Sequence, residues 1–146
     1  KPSKDEYHQT KDFLNFTKTF VVEKLKDEFD INRTEQIDLL NRSVEYFKTN
    51  EQFDKSNFEN EVLVEPNIIK SFRNFDQDYS LQNDIALNDC FEISPQAVKK
   101  QARYFKSILK LDGNFHVYIH GNKDMIERGV DDDGRKYYKL YYEEES

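Results

Sequence analysis

The apolar residues change period at Phe105, and that switch limits the possible folds more than any motif in the chain. Before it, Phe13, Phe16 and Phe20 with Leu14, Val21 and Leu25 recur at steps of three and four, which places one apolar stripe on a helix over about 5–29. Asn32 followed by Glu35 forms a cap and capping-box pair, and Ile37, Leu40, Val44 and Phe47 then carry a second helix to about 49. Ser56 with Glu59 is read as the cap of a short third helix bearing Phe58 and Val62. Pro66 opens a fourth, where a missing N–H costs nothing, and Ile68, Phe72, Phe75 and Tyr79 keep its spacing. Residues 80–93 lose any period and read as a loop. Ser94-Pro95 starts a last helix reaching roughly Tyr104.

From Phe105 the step is two. Phe105, Ser107, Leu109 and Leu111 alternate with Lys106, Ile108 and Lys110; beyond Asp112-Gly113-Asn114, Phe115, Val117 and Ile119 alternate with His116, Tyr118 and His120. This is a β-hairpin. A two-residue Asp-Gly loop would pair Leu109 with His116 and mix the faces. A three-residue loop, with Asn114 left-handed, pairs Leu111 with Phe115, Lys110 with His116 and Leu109 with Val117, leaving one face apolar. After a turn-rich stretch, Lys136 to Glu143 alternates again and is expected to add a third strand. The fold class expected is α+β: four to five N-terminal helices packed with a small three-stranded antiparallel sheet. The whole of 1–146 reads as one unit, mainly helical over 1–93, with a helix, hairpin and third strand over 94–146.

A chain of 146 residues that is 35% charged can still build a core because 12 Phe and 9 Tyr bury large rings. One cysteine, Cys90, precludes an internal disulfide framework and fits a reducing compartment. No apolar run approaches the ~20 residues that span a bilayer, and the start lacks a hydrophobic segment of signal-peptide type. No membrane partner and a cytoplasmic location are therefore expected. The absent initiator Met points to a piece of a longer protein.

Charge is unevenly placed. Net charge is −7, yet residues 1–93 hold 12 Lys and Arg against 20 Asp and Glu, whereas residues 94–139 hold 10 against 6. An acidic whole argues against indiscriminate nucleic-acid coating. The basic third contains Lys99, Lys100 and Arg103 on one helix surface, continued by Lys106 and Lys110 on the hairpin's polar face and extended by Lys139 with Tyr137 and Tyr141. Cations interleaved with rings suit phosphate contact and base stacking. A solvated face of ordinary lysines is the competing reading.

Motifs for catalysis are missing. His116 and His120 lie about 13 Å apart along a strand at ~3.3 Å per residue, too far for one zinc ion with ~2 Å bonds. An EF-hand loop ending at Gly134 would need a side-chain oxygen from Gly129. Asp89 and Glu92 beside Cys90 would raise its pKa, so a buried structural thiol is expected rather than a nucleophile. There is no GxSxG, phosphate loop, HExxH or CxxC. Neither an enzyme nor a cofactor or metal is expected.

The strings AVKKQARYFKSILKLD, NFHVYIHG and YYKLYYEEE, with DLLNRSVEYFK and FENEV upstream, resemble the 37-kDa nucleoid-associated protein family in its Bacteroidetes form. The likeness covers nearly the whole chain, with 80–90 the least familiar part. It implies that this is the C-terminal half of a longer, non-enzymatic, DNA-binding protein of the bacterial nucleoid. The family motif assigns no phosphate contact residue by residue, so Lys99, Lys100, Arg103, Lys106, Lys110 and Lys139 rest on electrostatics alone. Two other functions stay open: a protein-interaction domain for DNA-processing partners, with DNA contact elsewhere, and, more remotely, a metal-dependent nuclease. Oligomeric state is open.

Overall fold

A computed structural model describes residues 2–83, 87–105, 108–120 and 123–146. Helix α1 (Pro2–Thr19) runs through a π-helical turn (Phe20–Lys24) into α2 (Leu25–Glu28), so the first apolar stripe lies on one continuous rod. Phe13, Phe16, Phe20, Val21 and Leu25 on it are wholly buried. The wide π turn loosens the backbone ladder, and buried Gln36 donates its amide to the Val21 carbonyl at 3.3 Å. Helix α3 (Arg33–Thr49) begins with the expected capping box: Asn32 Oδ1 accepts from the Glu35 N–H at 3.0 Å, and Glu35 Oε1 accepts from the Asn32 N–H at 3.2 Å.

Strand β1 (Gln52–Asp54) leads straight into α4 (Lys55–Phe58), which widens into a second π-helical segment (Glu59–Leu63). Its cap is Asp54 and not Ser56: the extended backbone ending β1 aims the Asp54 carboxylate at the Asn57 N–H, 3.2 Å away. Val64 turns the chain with φ 65° and ψ −59°, and the Glu65 N–H reaches back to the Leu63 carbonyl at 2.7 Å. That is a γ-turn with a left-handed, β-branched centre, a strained combination. Helix α5 (Pro66–Asn83) then runs a turn past Tyr79 into residues expected to be loop. Its final turn carries half-buried Ser80 and exposed Leu81, Gln82 and Asn83, hence no apolar period to read.

Within the remaining expected loop, β2 (Cys90–Glu92) pairs antiparallel with β1, Phe53 opposite Phe91 and their rings stacked at 4.7 Å. Since Phe91 takes the inward position, the alternation turns Cys90 outward; it is exposed rather than buried. Ser94 caps α6 (Pro95–Ala102) by accepting from the Ala97 N–H, as its sequence indicates. Buried Thr10 of α1 accepts from the Ser94 N–H at 3.0 Å, tying α6 to α1.

The core is a cluster of rings. Phe13 sits at its centre, with Phe53, Phe58, Phe16, Phe47 and Phe72 at centroid distances from 4.2 to 5.9 Å. Glu59, 4% exposed, is buried beside it and accepts two hydrogen bonds from Arg73 at 3.0 and 2.8 Å, the pairing that a desolvated carboxylate requires. The same bonds raise the Arg73 pKa.

The α+β class stands, but the sheet differs from expectation. The described strands form three two-stranded ribbons and no three-stranded sheet. Strands β3 (Ile108–Leu111) and β4 (Phe115–Tyr118) pair in the expected register, Leu111 with Phe115, Lys110 with His116 and Leu109 with Val117. The left-handed residues of the turn are Asp112 (φ 53°) and Gly113 (φ 73°) rather than Asn114, whose N–H bonds the Leu111 carbonyl at 2.9 Å. Positive φ at both central positions matches the right-handed strand twist. The would-be third strand, β6 (Lys136–Leu140), pairs instead with β5 (Ile126–Val130). Gly129 and the charged Glu127 and Arg128 disguise β5 as turn. A Cβ on Gly129 would stand 2.3 Å from the Tyr137 ring, so the ring lies across the glycine of the partner strand.

Candidate nucleic-acid interface

Helix α6 buries Ala97, Val98 and Gln101 against α1 and α3 and leaves Lys99, Lys100 and Arg103 exposed. At 100° per residue these three cations share an outward arc, Arg103 lying between the two lysines. The chain next passes buried Phe105 and reaches β3, where Lys110 is exposed beside exposed His116. Lys106 lies outside the described residues. Helix α3 carries both segments: it packs on α6 and on β3, and Asn41 donates to the Ile119 carbonyl at 3.2 Å. None of Lys99, Lys100, Arg103, Lys110 and Lys139 forms a salt bridge with a described residue; the ion pairs present involve other cations, such as Lys55 with Asp76 and Arg73 with Glu59.

Lys139 is not gathered with the rest. It stands opposite Glu127, and strand alternation puts it on the reverse face of its ribbon from Tyr138. On that face Tyr137 covers Gly129, and the Tyr141 hydroxyl bonds Glu127, which raises the tyrosine pKa.

The Tyr138 face turns toward the first hairpin, and there the structure brings Arg128 and Arg135, from the stretch that reads as turn in the sequence, together with Lys110 of the hairpin and Lys136 of the last strand. A cleft of about 580 Å³ between the ribbons is lined by Lys110, Arg128, Arg135 and Lys136 with Tyr137, Tyr138 and Asp112. It meets a second hollow of about 400 Å³ lined by Arg33, Ile108, Lys110 and Tyr138. Arg135 is held by Asp133 at 3.2 Å. The register that identifies this set is Arg128 opposite Tyr138, and only the recognition of β5 would have revealed it from sequence. Lys18, 5.7 Å from the centroid of the Tyr104 ring, is a further cation the sequence did not place here.

Exposed apolar and aromatic side chains accompany this charge: Tyr104, Phe115, Tyr118, Val130, Leu140 and Tyr142 are all at least half exposed. Among the described residues no group of three or more His, Cys, Asp and Glu is placed to hold a metal, and no helix is long and apolar enough to cross a membrane.

A family model described as nucleoid-associated protein YejK matches residues 1–135. The chain belongs to that family. Comparison with curated proteins and with solved structures returns no match. The YejK-family match spans the helical body, the β3–β4 ribbon and β5, and ends just before β6.

Proposed function

We propose that this chain is a non-enzymatic DNA-binding module of the nucleoid that meets DNA phosphates through Lys99, Lys100, Arg103, Lys106 and Lys110. The observation that carries the reading is the exposed cationic face of α6, free of salt bridges to described residues and joined by a short connection to Lys110. Membership of the nucleoid-associated family supports it. Lys139, on the far face of its ribbon, has no contact in this scheme. Each phosphate neutralised by a cation releases counterions, so four or five contacts give a log–log salt slope of roughly −4 on duplex DNA. Binding of a labelled duplex at low salt by the wild type and by a Lys99→Glu/Lys100→Glu/Arg103→Glu/Lys106→Glu variant tests it. Loss of binding in the variant is expected. Equal binding by both, or none by either, contradicts the reading.

The exposed rings of residues 104–142 favour a second reading, in which the same region docks a DNA-processing protein and DNA contact lies elsewhere. Recovery of such partners after nuclease digestion, with no DNA binding by the chain itself, would select it.

A further inference from the structure

The geometry points to a further site for unpaired nucleic acid in the cleft between the two C-terminal ribbons, with Arg128 and Lys136 holding the backbone, Lys110 common to this site and the α6 face, and Tyr138 stacking on a base. This deepens the DNA-binding reading and rests on it for ligand class, but it uses a different surface from α6.

Three observations carry it. The first is charge: Lys110, Arg128 and Lys136 line one cleft and have no salt bridge to a described residue, while Asp112 is the one carboxylate among the described residues that line it. A concave, positively lined surface concentrates field and favours a polyanion. The second is the ring. Tyr138 lines both hollows, paired across the ribbon with Arg128, so a cation and an aromatic face stand together at the point where the hollows meet. Stacking on an aromatic side chain is tolerant of sequence and needs a base face that is open. The third is shape. Volumes of about 580 and 400 Å³ fall within the range of small-ligand sites, about 300–1,000 Å³. Such clefts admit a nucleotide or two. A duplex keeps its base faces stacked inside a rod and cannot offer one to a half-buried ring between two ribbons. Lys99, Lys100 and Arg103 stand instead on an exposed helix surface beside the exposed Tyr104 ring, and suit phosphate contact along the outside of a duplex.

Two ligands and two sets of variants separate the sites. The ligands are a labelled oligothymidylate of about ten nucleotides and a duplex of similar length, titrated at low salt with the intact chain. Arg128→Gln/Lys136→Gln, at exposed positions, is expected to weaken oligothymidylate binding at least tenfold and leave duplex binding within twofold. Tyr138→Leu is expected to lose single-strand affinity and Tyr138→Phe to keep it, which distinguishes stacking from a hydroxyl contact or a folding defect. The α6 variant Lys99→Glu/Lys100→Glu/Arg103→Glu is expected to do the reverse, losing duplex while retaining single strand. Unchanged oligothymidylate binding in the Arg128/Lys136 variant overturns the cleft site even where duplex binding through α6 stands. Single-strand binding that depends on Tyr138, with no duplex binding at all, would uphold the cleft and overturn the α6 reading. Equal single-strand loss in Tyr138→Leu and Tyr138→Phe removes the stacking role.

Discussion

Val64 is the residue where the chain departs furthest from what its side chain favours. A β-branched residue at φ 65° is strained by roughly 1–3 kcal/mol, whereas glycine enters that region freely. Val64 is also 54% exposed, so little packing is lost on removing its side chain. Val64→Gly is expected to stabilise the protein by about 1 kcal/mol, raising Tm by about 3 °C in a thermal melt. Phe13 is the opposite case. Buried among five rings, it should cost about 3–5 kcal/mol on replacement by Ala in urea unfolding, while Phe115→Ala, at a 65% exposed site, should stay within about 0.5 kcal/mol. Glu6 offers a test by pH. Its carboxyl hydrogen-bonds Glu92, which raises its pKa above the usual 4.5. A raised folded pKa means that the folded state binds the proton more tightly. The resulting stability is complete below about pH 4.5 and is lost as pH rises through the folded value. Glu6→Gln removes that titration, so the variant should gain Tm over wild type at pH 7 and lose the advantage at pH 4. An equal difference at both values would show that the pair plays no part.

At the scale of elements, legibility followed the length and period of the apolar pattern. The helices bearing Phe13–Phe20 and Ile37–Phe47, the Asn32 and Ser94 caps and the β3–β4 register were all readable, because each rests on contacts three or four residues apart or on strict alternation. What escaped was short or non-local. Strand β2 is three residues long and finds β1 some forty residues earlier, and β5 hides its alternation behind Gly129. The Ser56 cap failed for a local reason: the extended Asp54 stood two residues nearer the strand end with a stronger acceptor. Gly129 also supplies a test of the second ribbon. In Gly129→Ala the Tyr137 ring must swing off the strand, since its tip would lie 2.3 Å from the new methyl. NMR should show the residue-129 backbone leaving the ring's shielding, with the aromatic-core resonances unmoved. Shifts that spread into the core would mean that the ribbon is welded to the helical body more firmly than its contacts imply.

For the whole molecule, the separation of charge is the central physical fact. Acid dominates the helical body, and uncompensated cations with exposed rings concentrate in the last third. Of the cations marked on the sequence, Lys99, Lys100 and Arg103 share one helix face and Lys110 follows on the next element. Lys139 faces away because β6 pairs with β5 rather than with the first hairpin, which turns the Tyr138 side inward and brings Arg128 and Lys136 into play. An acidic body limits binding to a defined surface through repulsion elsewhere, so affinity should fall steeply with salt. The most direct test is the salt dependence of duplex binding by the wild type and by Lys99→Glu/Lys100→Glu/Arg103→Glu, with retained folding checked by circular dichroism. A slope near −4 that shrinks by about three in the variant is the expected result; the same slope and affinity in both would contradict DNA recognition by this face.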